Sequence, residues 1–555
     1  MPLCSACGGN TFIPRVVGEK IQTESDPPFA QPDEVASILE NIERDLENYE
    51  AEICRIRKEK GRLEHYAAQL RSLSSPFRKI PNEILRQILD DCCDMNSFRA
   101  VDLKRRLPTQ TAHALTSKPA MVVSSVCSRW RQTALSMPAI WSRISLYWDV
   151  HGEDHNWEYE DIEIVFPLSC FLIRSQQHPM TLNLDLEARP FILIPTRGLH
   201  LHLLLTRLFE QIICWQSLSY RCEYYSFEEF LNHSSIPSAS FPVLRRLCFA
   251  GSVMEEDLTP FTTTAPNLQM LDLPDTPVPH SSYPNSHQVD IQDVFNKFPN
   301  LFSLGLTEST LYSNGVSPVT IACSSKLEML TIHHREGWKD PSDSSAVFPL
   351  LRLPSLKVLH LVTDKSESTD SDIYRLWDDQ SWSNLEPFVV FVQQSALQLT
   401  AFSIQGLSIS DANLVKILVL LPTLQDLTVD DSGIPQKCSS ISSEFIEGLH
   451  TYRTSSLRPQ EACIVPRLRS LRLLNVAAPM FKDWLVVEMV KSRWIPAKVN
   501  AVGTSAFKVD CLRVFTMTFV KRWEENPGHS YSLLAPIERN GMMIVIQISG
   551  KTLGV

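Results

Sequence analysis

The sequence predicts an α/β chain: a long N-terminal helix, then a small all-α module, then an irregular solenoid of strand–helix repeats. Three observations point there. Apolar residues recur at heptad spacing from Leu39 to Leu70, two short amphipathic stretches flank residues 98–121, and the pattern Leu-x-x-Leu-x-Leu returns nine times from Leu244 onward.

At 555 residues, with 44% hydrophobic and 21% charged side chains, the chain has the size and composition of a several-domain soluble protein. Its 14 cysteines are scattered without a framework and follow no secretory signal, which predicts reduced thiols and an intracellular location, cytoplasmic and/or nuclear. The most apolar run, Leu199 to Trp215, is broken by His202, Arg207 and Glu210, so no membrane span is expected. The net charge is −11, unevenly placed: residues 76–148 hold eleven Lys/Arg against five Asp/Glu, a balance of +6, which leaves −17 elsewhere. An acidic remainder argues against nucleic-acid binding.

Residues 1–32 are polar and proline-rich and read as a disordered tail. Within them Cys4-Ser5-Ala6-Cys7 is half of a zinc ribbon, but the next cysteine is Cys54, and zinc needs four ligands. Neither a metal nor a cofactor is expected. Residues 33–74 read as one helix that starts on acidic residues at its positive end. Leu39, Leu46, Ile53, Lys60 and Ala67 form one seam, and Ile42, Tyr49, Ile56, Leu63 and Leu70 form the other. In a parallel pair Asp45 would face Glu50, Glu52 would face Arg57, and Glu59 would face Glu64. Charge therefore does not select a parallel homodimer. Self-association through residues 33–73 and packing of the seam onto the chain's own domains are both compatible with the pattern.

Next comes Ile80-Pro81-Asn82-Glu83-Ile84-Leu85-Arg86-Gln87-Ile88-Leu89. Pro81 suits a helix start, where its missing N–H costs nothing. Ile84, Leu85, Ile88 and Leu89 form one apolar stripe. A second stripe holds Val122, Val123, Val126, Cys127 and Trp130, and Pro138-Ala139-Ile140-Trp141 follows. This split pattern resembles the F-box, a helical module that docks substrate receptors onto SCF-type ubiquitin ligases. The resemblance implies contacts to a Skp-type adaptor, and through it a cullin scaffold, from Ile80, Pro81, Ile84, Leu85, Ile88, Leu89, Val126, Cys127 and Trp130. It covers residues 75–148, and it departs from the family in an insertion near 98–121, which reads as a loop with one helical turn.

The repeated triplets run from Leu244-Leu247-Phe249 and Leu268-Leu271-Leu273 to Leu468-Leu471-Leu473 and Leu512-Phe515-Met517. Six of the nine have Pro two residues ahead. Residues 241–547 so resemble an irregular leucine-rich-repeat array, in which each triplet supplies one strand and the intervening segments supply helices. Residues 149–240, with the alternating stretch Met180 to Leu186, read as the lead-in to the same sheet. The whole order is similar to F-box proteins abundant in mushroom-forming fungi.

Other signals are weaker. His333-His334 follows a repeat strand; one of the two is expected on the concave surface, where it could touch a ligand, with plain solvent exposure the commoner fate. Lys104-Arg105-Arg106 reads as loop charge. Phosphate-cradling, nucleophile-elbow and zinc-protease motifs are missing, so no enzyme is expected. What the resemblance implies is a substrate-recognition subunit that holds an unidentified protein target on its solenoid. The alternative is a non-catalytic interaction scaffold that does not direct ubiquitination.

Overall fold

The structure is a computed structural model. It describes residues 32–73, 76–101, 118–149, 162–186, 205–222, 227, 231, 240–249, 255–273, 290–307, 321–335, 347–364, 385–434, 438–451, 463–476, 481–494, 509–520, 528–548 and 551–553. The chain divides into two compact units, Met1–Ile84 and Leu85–Val555.

In the first unit, helix α1 (Pro32–Leu73) runs without interruption for 42 residues, about 63 Å at 1.5 Å per residue. Ion pairs one turn apart line it, among them Arg44–Glu40 at 3.2 Å, Arg55–Glu52 at 2.8 Å and Arg62–Glu59 at 2.8 Å. All are exposed and screened by solvent, so they favour the helix locally and add little to the stability of the fold. A 3₁₀ turn (Pro76–Lys79) follows, and then helix α2 (Asn82–Asp91) begins.

The second unit is organised by one open parallel sheet. Its strands are β1 (Asn96–Val101), β2 (Arg143–Asp149), β3 (Met180–Leu186), β4 (Trp215–Cys222), β5 (Arg246–Phe249), β6 (Met270–Leu273) and β7 (Ser303–Thr307). After the two-residue strand β8 (Ala322–Cys323) come β9 (Met329–Arg335) and, past the equally short β10 (Leu351–Arg352), β11 (Val358–Asp364). The series closes with β12 (Ala401–Gln405), β13 (Asp426–Asp430), β14 (Ser470–Val476), β15 (Val514–Phe519), β16 (Met543–Ile548) and β17 (Lys551–Leu553). Spatial order follows chain order. Among the described residues 14 strands pair in parallel, β17 adds antiparallel to β16, and β8 pairs with β10 apart from the main sheet.

One row of side chains runs through all 14 parallel strands. It passes from Asn96 through Ile144, Leu182, Leu218, Leu247 and Leu271, and on through the middle residue of each later triplet to Phe515 and Ile544. Each of the nine triplets lies on or just ahead of a strand, and every triplet side chain is at most 3% exposed. The spacing explains this. Residues two apart on a strand share a face, and the residue three before the middle one sits in the turn that feeds the strand into the core.

The lead prolines have a structural counterpart. The carbonyl of Pro242 accepts from Asn267 Nδ2 at 2.7 Å, that of Pro266 from Asn300 Nδ2 at 3.1 Å, and that of Pro299 from Lys326 Nζ at 2.8 Å. Pro fixes the turn and loses no ladder bond there, while its oxygen ties one repeat to the next. Helices cover the other layer, four of them on the segments between triplets that read as helical in the sequence, 289–298, 385–394, 413–421 and 481–494: α8 (Ile291–Lys297), α9 (Leu385–Ser395), α10 (Asp411–Val419) and α12 (Asp483–Arg493), with α7 (Glu255–Thr264) and α11 (Ser443–Gly448) besides.

The expected all-α module is where sequence and structure part. Helices α3 (Pro119–Ser125), α4 (Ser128–Leu135) and α5 (Pro138–Trp141) are present, and α6 (Ile162–Ser175) follows β2. But the stretch expected as a loop from Phe98 opens as strand β1, and β1 and β2 are the first two strands of the sheet. The sheet therefore starts at Asn96, well ahead of residues 149–240 and 241–547. The triplet spacing is kept, but its slots hold Cys93, Asn96 and Phe98 in β1, and Trp141, Ile144 and Leu146 in β2, all at most 1% exposed. Too few of these are leucine for the repeat to show. Cys4, Cys7, the tail 1–31 and Lys104-Arg105-Arg106 lie outside the described residues.

Candidate functional site

The nine residues singled out at the start of the module have different fates. Ile80 is half-buried, Pro81 is exposed, and Ile84 is 49% exposed on the first turn of α2. In the second unit Leu85 and Leu89 are fully buried, and Ile88 is half-buried. The apolar stripe on α2 is thus split. Leu85 and Leu89, expected among the docking contacts, point inward and hold the helix down; Ile84 is left on the surface. Sequence spacing could not separate these neighbours, since i and i+1 differ by 100° on a helix and both lie within one broad apolar stripe.

Val126, at the end of α3, is 58% exposed; Cys127 is exposed, and Trp130 is half-buried on α4. Two residues missed as docking candidates join them: Val122 (45% exposed) and Leu135 (43% exposed). Helix periodicity links Val122 to Val126 one turn on, a usable signal. Leu135 needed the fold. Beside them lies a groove of about 150 Å³ lined by Met121, Ser124, Ser125, Arg131, Leu135 and Arg174. Arg131 Nε donates to the Ser124 carbonyl at 3.2 Å, which fixes α4 against α3. The exposed surface of α3 and α4 carries the apolar Val122, Val126 and Leu135 beside the exposed Arg131.

Why this surface is rigid follows from what lies beneath. Asn96 is fully buried; its Nδ2 donates to the Ile140 carbonyl at 2.8 Å and the Arg143 carbonyl at 2.9 Å. Its Oδ1 accepts from the Ala120 N–H at 3.1 Å. That N–H belongs to the first turn of α3, whose N-cap Lys118 provides no side-chain cap, so Asn96 caps the helix from a distance. Trp141, also fully buried, donates from Nε1 to the Ala134 carbonyl at 2.8 Å and meets the Phe171 ring at 4.9 Å. Lys118 Nζ donates to the Ser97 carbonyl at 3.0 Å over the Phe98 ring, and burial lowers its pKa to about 8. Arg143 closes the frame, pairing with Asp90 at 2.7 Å and donating to the Cys93 carbonyl at 2.9 Å. The last turns of α2 and helices α3 to α5 are mounted on the first strands of the sheet.

The second candidate surface is the sheet face opposite the core. Its central row reads Ser145, Asn183, Ser219, Cys248, Asp272, Gly305, Thr331, His360, Ser403, Thr428, Arg472, Thr516 and Val545. The row is mostly small and polar, suited to a flat polypeptide surface rather than to a buried small ligand. At its middle the Asp272 carboxylate crosses Gly305 to reach His333 Nε2 at 3.4 Å, and a Cβ on Gly305 would clash with Asp272 Oδ1. His333 and His334 are both half-buried, and His333 shares this face of the strand with Thr331. We expect Gly305→Ala to displace the Asp272 carboxylate and lower stability by about 1 kcal/mol; an unchanged urea midpoint would show that the side chain yields freely.

Among the described residues no group of three or more His, Cys, Asp or Glu side chains is arranged to hold a metal ion. None of their helices is long and apolar enough to cross a membrane. Together these observations define a mixed α/β chain whose parallel sheet carries an exposed apolar helical surface at its first strands. No family model matches the chain, and no curated protein matches it either.

Proposed function

We propose that this chain is a substrate-recognition subunit of an SCF-type ubiquitin ligase. The helical module α2–α5 docks a Skp-type adaptor, which brings the cullin scaffold, and the polar face of the sheet holds a target protein. The observation that carries the reading is the split of the module's apolar residues. In the second unit Leu85, Leu89, Ala134 and Trp141 are buried as core, while Val122 and Val126 are left 45% and 58% exposed; in the first unit Ile84 is by itself 49% exposed. Exposed apolar side chains set in a rigid frame, with Arg131 bordering α3 and α4, suit an acidic partner with an apolar groove. The leucine-rich-repeat reading of the sheet rests on the nine triplets and their common register.

The mechanism is proximity. No residue of this chain takes part in bond making; the receptor raises the effective concentration of target lysines near the ubiquitin-charged enzyme on the scaffold.

The test is co-expression with a fungal Skp-type adaptor and measurement of the complex by calorimetry. Ile84→Asp and Val126→Asp are each expected to weaken adaptor binding at least tenfold, with thermal unfolding unchanged because both side chains are solvent-facing. A folded chain that never binds the adaptor would overturn the reading. Binding without cullin recruitment would leave the scaffold alternative.

A further inference from the structure

The heptad seam of α1 is exposed. From Leu39 to Leu70 its large apolar side chains keep between 42% and 59% of their surface open. Polar faces of long helices are routinely left in water; a five-heptad apolar seam is not. We propose that a second copy of this chain covers it, its own α1 lying antiparallel. The proposal rests on α1 alone and is independent of adaptor docking.

Charge points to the direction. Residues 33–52 carry eight acidic side chains and one basic, −7, whereas residues 53–73 carry six basic and two acidic, +4. A parallel pair sets −7 beside −7; an antiparallel pair sets each acidic half beside a basic one, with the helix dipoles opposed as well.

The seam's composition points the same way. In the register that sets Ile53 against the second copy's Ile56, Leu46 meets Leu63 and Leu39 meets Leu70, so the large aliphatic residues pair with one another. The two weak positions of the seam then find complements. Lys60 lies over Tyr49, with its ammonium already turned outward toward Glu64 at 3.7 Å, and small Ala67 lies opposite Ile42. A parallel pair would instead stack Lys60 on Lys60, burying two like charges, and Ala67 on Ala67, leaving a gap.

At the flanks of this register Glu50 faces Arg57, twice by symmetry. Glu43 with Glu64 and Glu52 with Glu59 are like-charged. Their cost is reduced because Glu52, Glu59 and Glu64 each already hold an intrahelical partner, Arg55, Arg62 and Lys60.

The experiment is light scattering of the full-length chain across micromolar concentrations, with four proteins compared. Wild type is expected to dimerise, and Ile53→Asp to raise the dissociation constant at least tenfold with helical content retained. Glu50→Arg separates the orientations. In the antiparallel pair it sets the new arginine against Arg57 and weakens the dimer at least threefold; in a parallel pair it would face Asp45 and tighten it. Adding Arg57→Glu to Glu50→Arg restores the antiparallel contact. A wild-type chain that stays monomeric, an Ile53→Asp dimer of unchanged strength, or a Glu50→Arg dimer that tightens would each overturn the proposal.

Discussion

Replacing Asn96 by leucine is expected to destabilise the protein by about 3–5 kcal/mol, although leucine is the residue that most other strands place in that row. The cost comes from hydrogen bonding. Asn96 Nδ2 serves two carbonyls and Oδ1 serves one N–H, all in a fully buried site. A leucine has the same branched skeleton but is bulkier, makes none of these bonds and strips all three groups of the Asn96 partner, and each loss costs about 1–3 kcal/mol. Partial relaxation of α3 recovers some of that total. Urea unfolding followed by tryptophan fluorescence reads the result, since Trp141 stands beside the network. Asn96→Asp makes a second test: it keeps the acceptor for Ala120 and loses both donated bonds, so it too is expected to destabilise. If Asn96→Leu proves neutral or stabilising, the row is a plain hydrophobic ladder and the remote cap on α3 contributes nothing.

Asp431→Asn is expected to act in the opposite direction, stabilising the protein at neutral pH by about 2–3 kcal/mol. Asp431 follows β13 and is 3% exposed. Burial pushes its carboxyl up to about 6, against a hydrogen bond from Ser439 that lowers it, and Asp430 adds to the rise. The unfolded value is about 3.9, so the folded state holds the proton more tightly. The sign follows. This group's contribution is fully present below about pH 4 and is lost as pH rises through about 6, because the ionised form is paid for in lost solvation. A rise of that size corresponds to about 2–3 kcal/mol at pH 7. Asparagine keeps an acceptor for Ser439 and carries no charge at any pH. The stability gap between Asp431→Asn and wild type should therefore be large at pH 7 and shrink toward zero near pH 4. A gap that does not change with pH would mean that the carboxyl is ionised throughout, with its charge solvated or paired.

The rest of this polar cluster shows why a buried acid is tolerated here. Asp430 Oδ1 accepts from Asn475 Nδ2 at 2.8 Å and from Ser432 Oγ at 2.6 Å, and Asn475 N–H donates to Thr518 Oγ1 at 2.8 Å. Asn475 takes a positive φ of 53°, a conformation that asparagine adopts more readily than most residues. These bonds join the ends of β13, β14 and β15. Nothing in the spacing of Asp430-Asp431, which reads as an ordinary charged loop, announces them.

The heptad helix, the nine triplets and four of the connecting helices were legible in the sequence because each is a local rule repeated. A leucine every third and fifth position is buried wherever the strand forms, and an apolar residue every three or four positions marks a helix. The split F-box-like pattern could be read for the same reason, as two short amphipathic stretches beside a Pro start. Within that pattern the sequence could say that Ile84, Leu85, Ile88 and Leu89 share a side of the helix, but not which of them meets the core. The fold decides by a rotation of one residue, and it buries Leu85 and Leu89.

By itself, then, the sequence determined that this chain has a long heptad helix, a repeated strand-forming triplet and a short helical module between them. Only the tertiary structure decided that the module is built onto the sheet. In β1 the triplet's slots hold cysteine, asparagine and phenylalanine, and in β2 tryptophan, isoleucine and leucine, so the leucine signature of the repeat fades just where the strands begin. The physical reason is that a parallel strand is specified by its neighbours. Asn96 belongs in a row of leucines only because α3, α5 and β2 bring an N–H and two carbonyls to it, and those partners lie 24 to 47 residues away in the chain.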